Sequence, residues 1–177
     1  MKVIRLHPED AGQDLVGREE FRHAFRQLAT TVGVLTYRDL EGRPRGMTAT
    51  SLCAVSADPP SLLVCVDRTT RTHEALEFQT EFGVALLAED QREIALWCAR
   101  PGADKRLRPE WLGFVTATAR TPRLLGAVAH FECTIDRIEP AFTHSIIIGV
   151  IRETIIDPVV KPLLYHDGTF GRLAEEP

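Results

Sequence analysis

The pattern of apolar and polar residues changes its period along the chain. In residues 19–30, Phe21, Ala24, Phe25 and Leu28 recur at i, i+3, i+4 and i+7, which predicts an amphipathic helix. Most later apolar runs are short, rich in β-branched residues and separated by turn residues, which favours strands. They cover residues 32–37, 47–56, 61–66, 82–88, 127–138, 145–156, 163–165 and 169–173.

Helices are predicted to be few and short. Residues 72–79 favour one, and Asp90-Gln91-Arg92-Glu93 resembles a capping box that opens a second one ending near Ala99. Residues 103–126 show no regular pattern, which predicts a long loop. The expected fold is mostly β with short helices, an antiparallel barrel with helices at its ends. It forms one domain, residues 18–177, after an irregular leader, residues 1–17.

Composition narrows the function classes. The chain has 177 residues and a net charge of -4, so the charge balance gives no reason to expect a nucleic acid or an anionic membrane as partner. The first residues have no apolar signal core, and a cytoplasmic protein is expected. The four cysteines show no metal-ligand or redox spacing and are interpreted as packing residues, and no metal is expected.

Several familiar motifs are absent from the sequence. It contains no G-x-G-x-x-G after a strand, no Walker A motif, no G-x-S-x-G elbow and no histidine pair at i, i+4 on a helix. These absences leave a flavin or another anionic ligand as the main positive candidate.

Two stretches carry candidate binding groups. Thr48, Thr50 and Ser51 lie along one predicted strand, where hydroxyls and backbone amides suit the edge of a flat ring, although threonine also simply favours strands. In the loop of residues 67–72, the threonine hydroxyls, Arg68 and Arg71 suit a phosphate. Capping of the following helix by threonine explains the same pattern.

Two further candidates have simpler explanations. Lys105 and Arg106 follow the Pro101-Gly102 turn and, taken alone, indicate a solvated charged surface. His144 opens a strand, and an exposed strand-end histidine without a role accounts for it as well as a contact to nicotinamide or flavin does.

The chain resembles the short-chain flavin reductases, the reductase partners of two-component flavin monooxygenases. The resemblance covers about residues 21–173. It rests on five segments in order: FRHAFRQLATTVGVLTY, GMTATSLCAVSADPPSLLVCVDRTTRTH, FGVALLAEDQREIA, TPRLLGAVAHFECTI and PLLYHDGTF.

The resemblance implies a split β-barrel homodimer that reduces FMN or FAD with NADH or NADPH and passes reduced flavin to a partner monooxygenase. By position, Thr48, Ala49, Thr50 and Ser51 would line the flavin ring and ribityl chain. His144 would lie near the nicotinamide. The tail of the flavin would be held by Asp67, Arg68, Thr69, Thr72 and Lys105, with Arg106 strengthening the phosphate contact.

Three positions depart from the family pattern. Phe142-Thr143 replaces the usual Gly-Asp before the histidine, Arg106 replaces the Phe that often follows the lysine, and Gly149-Val150-Ile151 replaces Gly-Glu-Val. The first departure bears on the nicotinamide site. Two alternatives therefore stay open: an enzyme with tightly bound flavin that reduces another acceptor, and a non-catalytic module that binds flavin or haem.

Overall fold

A computed structural model describes residues 15–102, 104–113 and 120–174 of the chain. The described part contains three α-helices: α1 (Arg18–Arg26), α2 (Arg71–Glu77) and α3 (Arg92–Ala99). A single 3-10 turn covers Pro109–Trp111. The strands are β1 (Thr30–Thr31), β2 (Gly33–Arg38), β3 (Pro44–Ala49), β4 (Leu52–Ala57), β5 (Pro60–Asp67), β6 (Glu81–Leu86), β7 (Ala129–Ala141), β8 (His144–Ile156), β9 (Leu164–His166) and β10 (Thr169–Gly171).

Seven of these strands form one antiparallel sheet, in the order β3-β2-β6-β7-β8-β5-β4. A small sheet of order β1-β9-β10 stands beside it. Strands β3 and β4 are the edges of the large sheet, and only Thr50 and Ser51 separate them in the chain. The sheet must therefore curl until its two edges meet.

Gly33 marks the place where the curled sheet closes. A Cβ atom at Gly33 would lie 2.3 Å from Cδ1 of Leu52, so the opposite edge of the sheet lies directly against this residue of β2. Any side chain at this position would collide with Leu52, and glycine permits the approach. The predicted split antiparallel barrel is confirmed.

Apolar residues fill both sides of the barrel wall. The inner cluster includes Leu35, Val64, Phe82 and Ile147, which come from four different strands and are fully buried. The outer cluster joins Val34 and Ala85 to residues of α3 and β9 and to Leu107. Alternate side chains of β2 and β6 thus supply two cores, which explains why both strands read as continuous apolar runs.

One predicted strand is in fact two. Residues 47–56 were expected to run unbroken, but β3 ends at Ala49 and β4 begins at Leu52. At the bend, the hydroxyl of Ser51 donates to the Cys65 carbonyl and accepts from the Cys65 N–H, both at 3.2 Å. Hydrogen bonds from the Ser51 side chain thus replace the backbone hydrogen bonds between strands at this point. The chain bends here, between β3 and β4, where the barrel closes.

The structure corrects two further expectations. Helix α3 begins at Arg92 with no side-chain cap, because Gln91 accepts from Ala88 N–H and donates to the Leu125 carbonyl instead. Cys53 is exposed, whereas Cys98 and Cys133 are buried as expected. The predicted long loop has little regular structure in its described residues, which hold the 3-10 turn and isolated bridges, and residues 103 and 114–119 lie outside the described part.

Helix α1 forms in the predicted region, over Arg18–Arg26, but its apolar face is largely exposed within the described part of the chain. Phe21, Phe25 and Leu28 are 50%, 58% and 56% exposed, and no residue of the helix is buried. Of the predicted leader, residues 15–17 are irregular and residues 1–14 lie outside the described part. No helix in the described ranges has the length and apolar character needed to cross a membrane.

Candidate functional site

A cavity of about 650 Å³ opens between the β2–β3 turn, the loop that leads into α2, and the segment around Lys105. These three elements are far apart in the sequence, and the curl of the sheet brings them together. The cavity is lined by Tyr37, Asp39, Leu40, Glu41, Arg43, Arg45, Asp67, Thr69, Thr70, Arg71, Thr72, Glu74, Ala75, Pro101, Gly102 and Lys105. Four of the sequence-predicted flavin residues are among them: Asp67, Thr69, Thr72 and Lys105.

The loop of residues 67–70 is ordered by its own hydrogen bonds. Asp67 Oδ1 accepts from the N–H and from the hydroxyl of Thr69, both at 2.8 Å, and these bonds lower the pKa of the Asp67 carboxyl. The Thr70 hydroxyl donates to the Asp67 carbonyl and accepts the N–H of His73. Thr70 is therefore the N-cap of α2, so the capping interpretation holds for that residue.

Thr72 is oriented by a tyrosine that sequence reasoning missed. The hydroxyls of Tyr37 and Thr72 are 3.0 Å apart, and both residues are buried. Burial raises the pKa of Tyr37, so its phenol stays protonated and available to this bond. Tyr37 lies at the end of an apolar strand run, where nothing in the sequence separates it from a core residue.

A second group that the sequence did not reveal lies at the β2–β3 turn. Asp39 Oδ2 accepts from Nε of Arg43 at 2.8 Å and from Nε of Arg45 at 2.7 Å. Burial by itself would raise the pKa of Asp39, but hydrogen bonds from Arg43, Arg45 and the turn backbone outweigh it and hold the pKa well below its usual range. Arg45 also pairs with Asp104, beside Lys105.

Lys105 stands apart from these paired groups. Its carbonyl accepts the N–H of Gly46, and Leu107 N–H donates to Pro44, so this segment lies along the edge of β3. The Lys105 side chain is half-buried, and desolvation lowers the pKa of its amine. It forms no ion pair with any described residue. We call Tyr37, Asp39, Arg43, Arg45, Thr72 and Lys105 the cavity cluster.

The predicted ring-binding strand lies apart from the lining of this cavity. The Thr48 hydroxyl donates to the Ala95 carbonyl at 2.6 Å and so fastens β3 to α3. Ala49 is buried in the inner cluster. Thr50 is exposed at the barrel corner, and Ser51 bonds to Cys65. The backbone of this corner and Thr50 remain available to a ligand, while the hydroxyls of Thr48 and Ser51 serve the fold.

Arg68, Arg106 and His144 also lie outside the lining. Arg68 N–H donates to the Thr143 carbonyl at 3.1 Å. Arg106 is exposed, and its carbonyl accepts Nε1–H of Trp97. His144 is exposed, pairs across the sheet with Asp67, and its Nδ1 lies 2.9 Å from the Thr143 hydroxyl. His144 is therefore next to the cavity loop, although not in the cavity.

A different group of buried polar residues lies in the outer layer. Arg123 Nε donates to Glu132 at 2.9 Å, and both residues are buried. Beside them, Thr36, Thr121 and His130 point to the space above Gly83, where a Cβ atom would lie 2.3–2.9 Å from their polar atoms. These three side chains are buried and have no hydrogen-bond partner among the described residues. We call Thr36, Thr121, Arg123, His130 and Glu132 the closed cluster.

Comparison with known proteins gives consistent matches over nearly the whole chain. The model of the flavin reductase like domain matches residues 25–174. A NADH:riboflavin 5'-phosphate oxidoreductase of Streptomyces pristinaespiralis is 35% identical over 92% of this chain and 92% of its own length. A NADH-dependent FAD reductase of Streptomyces globisporus is 32% identical over 90% of this chain and 87% of its own length.

Solved structures agree. The flavin reductase component of a bacterial two-component tryptophan halogenase superposes with a TM-score of 0.81 at 34% identity, covering 90% of this chain and all of that one. The NADH:FAD oxidoreductase of Streptomyces globisporus gives a TM-score of 0.78 at 30% identity, over 99% of this chain and all of that one. The family predicted from the five sequence segments is confirmed.

Proposed function

We propose that this chain, which belongs to the flavin reductase like family, oxidises NADH or NADPH and reduces a flavin, FMN or FAD. Relatives that match more than four fifths of the chain are named for this activity, with FMN in one case and FAD in another. The residues of the cavity fit the anionic tail that both flavins share. Membership of the family and the chemistry of the cavity thus support the same activity.

The observation that carries the proposal is the ammonium group of Lys105. A cation that burial makes costly is normally paired with a carboxylate or directed at an anionic ligand. Lys105 forms no such pair within the described residues, and it lines the cavity with the ordered hydroxyls of Thr69 and Thr72. A phosphate placed there would pair with the ammonium group and accept the Thr72 hydroxyl, whereas the Thr69 hydroxyl would reach it only by turning away from Asp67 Oδ1.

The chemistry requires little from the protein beyond placement. A hydride leaves C4 of the nicotinamide and is accepted at N5 of the flavin, so no side-chain acid or base is required. The chain supplies a rigid wall, an anchor for the tail and exclusion of water from between the rings. We assign tail binding to Lys105, Thr69 and Thr72, and ring contact to the backbone of residues 48–51.

We further propose that two copies of this chain form a homodimer. The apolar face of α1 is exposed, and Val55 in edge strand β4 is 47% exposed. An amphipathic helix whose apolar side is largely exposed within the described residues is typical of a binding interface, and an exposed apolar edge strand invites pairing. Sedimentation of the purified protein at micromolar concentration should give twice the mass of the chain, 19.8 kDa. A monomer at that concentration contradicts the dimer.

The product is expected to serve a separate enzyme. The structurally similar flavin reductase described above belongs to a two-component halogenase, and one relative is the reductase component of a resorcinol hydroxylase. We propose a flavin-dependent monooxygenase as recipient of reduced flavin, and a cytoplasmic location for the exchange. Substrate turnover by an added monooxygenase, dependent on this protein and NADH, tests the transfer.

The decisive assay follows nicotinamide absorbance with purified protein and each of the four combinations of NADH or NADPH with FMN or FAD. At least one combination should give catalytic oxidation under aerobic conditions. Absence of oxidation in all four contradicts the proposal. A protein that stays yellow after gel filtration and turns over added flavin poorly would indicate the alternative of a bound flavin with another acceptor. Bound flavin that neither nicotinamide bleaches anaerobically would indicate a non-catalytic module.

A further inference from the structure

The turn between β7 and β8 contains an unusual residue. Ala141 pairs with His144, so Phe142 and Thr143 form a two-residue hairpin loop. Phe142 has φ = 54°, in the left-handed region. Two-residue hairpin loops with positive φ at the first central position strongly prefer glycine there, and a bulky residue in that region is an outlier. Glycine would form this turn with less strain.

The Phe142 side chain contributes no packing to either hydrophobic cluster of the described residues. It is 84% exposed and belongs to neither of the two hydrophobic clusters. The chain therefore keeps an aromatic ring in water, on a backbone that disfavours it, at the end of two strands of 13 residues each. A strained residue that contributes no packing is a candidate for a ligand contact.

The position of the turn indicates which ligand. The Thr143 carbonyl accepts the N–H of Arg68, and Asp67 pairs with His144, so the turn is joined directly to the loop that lines the cavity. The Thr143 hydroxyl and Nδ1 of His144 also lie within hydrogen-bonding distance, 2.9 Å, in the same turn. Phe142 itself lies outside the cavity lining. Its backbone is held by the sheet, in the turn next to the loop that lines the cavity.

We propose that Phe142 is a stacking surface for the nicotinamide nucleotide, an inference that rests on the proposed flavin reduction. In the proposed function the flavin tail binds in the cavity, whereas the nicotinamide nucleotide must arrive, donate its hydride and leave in each cycle. An exposed ring beside the cavity loop suits such an exchanging aromatic ligand, because stacking needs no buried pocket. The two-residue turn also fixes the backbone position of Phe142 before binding, which reduces the entropy lost on association.

The test compares Phe142→Ala, Phe142→Gly and Phe142→Trp with the parent in the same steady-state assay. At saturating flavin, the alanine and glycine variants should raise the KM for the nicotinamide nucleotide roughly 3- to 10-fold, the range expected for loss of one aromatic pair. The KM for flavin should stay within about twofold, and Trp should retain the parent value. Phe78→Ala is the matched control, since Phe78 is 72% exposed and has an ordinary φ of -101°.

The glycine variant separates binding from folding. It relieves the left-handed strain, so its midpoint of unfolding should equal or exceed that of the parent even while the KM rises. Three results overturn the inference: an unchanged nicotinamide KM in Phe142→Ala, a rise confined to the flavin KM, or dissociation of the dimer in that variant. A parent that oxidises neither nucleotide with either flavin overturns the proposed function and this inference together, and is distinguishable from the first three because the parent itself fails.

Discussion

The two polar clusters are neighbours on β2 but face opposite sides of the sheet. Tyr37 lies opposite Arg45 and belongs to the cavity cluster, whereas Thr36 lies opposite Gly46 and Gly83 and belongs to the closed cluster. In the cavity cluster, most polar groups are paired and remain accessible to a ligand. In the closed cluster, the residues are buried, and three of the side chains have no hydrogen-bond partner among the residues that the structure describes.

This difference shows how one strand serves two purposes. Successive side chains of a strand point to opposite faces, so a one-residue step moves a polar group from a ligand cavity to a buried layer. Polar burial without a ligand costs stability, whereas polar groups at a cavity can be satisfied on binding. Substitutions in the closed cluster should therefore change folding, and substitutions in the cavity cluster should change binding.

The largest effect is expected from Arg123→Met. Both Arg123 and Glu132 are buried, so the substitution leaves a carboxylate without its partner. Loss of one member of a buried pair typically costs about 3–5 kcal/mol in the free energy of unfolding. Arg120→Met is the control, because Arg120 pairs with Glu81 while 70% exposed and should cost less than about 1 kcal/mol. Urea denaturation of both variants measures the difference, and equal losses would show that burial of the Arg123–Glu132 pair does not make it more important to folding than the exposed pair.

The second effect is a dependence on pH that belongs to His130. Burial, reinforced by the charge of Arg123, lowers the pKa of His130 from 6.5 to about 4. The unfolded chain therefore binds a proton between these two values and the folded chain does not, so stability falls as pH is lowered through that window. The loss amounts to roughly 3 kcal/mol by pH 4.

The cavity cluster should not contribute to that change. The pKa of Asp39 is lowered in the folded chain, so its stabilising contribution is lost only as pH falls below 3.8, the ordinary value for Asp. Denaturation curves at pH 7 and pH 4.5 measure how much the free energy of unfolding falls over this range. The fall should be much smaller in His130→Gln, and an unchanged fall in that variant would assign the pH dependence to other groups.

These clusters also show what the sequence could predict. The strands, short helices and family followed from apolar periodicity and from five ordered segments, because those signals are local. The threonine hydroxyls of residues 67–72 stood out in the sequence, whereas Asp67 and Lys105 were predicted only from the family resemblance, and Asp67, Thr69, Thr72 and Lys105 all line the cavity. Tyr37, Asp39 and Arg45 were missed because their role depends on the curl of the sheet, which brings distant segments together.

Other predicted site residues lie outside the cavity lining for the same reason. Thr48 and Ser51 carry the right groups for a ring, but Ala95 and Cys65 bind their hydroxyls across long stretches of sequence. Arg68 and Arg106 were assigned to the phosphate, yet their positions place them outside the cavity lining. The sequence alone does not show which hydroxyl or guanidinium groups are bonded to other parts of the folded chain or lie away from the cavity.

The third prediction concerns Lys105 and separates binding from folding most directly. Lys105→Met should raise the KM for flavin about 10-fold, the loss of one charge-assisted contact. The free energy of unfolding at neutral pH should not decrease, since burial lowers the pKa of this amine and the charged form is costly in the folded chain. Arg106→Met, next in the chain but exposed outside the cavity, should leave the flavin KM unchanged. If Lys105→Met leaves the flavin KM as unchanged as Arg106→Met does, the phosphate is bound by a different cation.

The smallest effects come from a matched pair of threonines that differ in whether their hydroxyls are bonded. Thr72→Val removes the bond to Tyr37 and leaves a buried phenol unpaired, which should cost about 1 kcal/mol and raise the flavin KM. Thr36→Val removes a buried hydroxyl that no described residue bonds, so stability should change by less than about 0.5 kcal/mol or increase, with the flavin KM constant. Thermal unfolding and the flavin titration of the two variants decide this. A Thr36→Val loss as large as that of Thr72→Val would mean that the closed cluster satisfies its hydroxyls, and the contrast between the two sides of β2 would then rest on the Arg123–Glu132 pair alone.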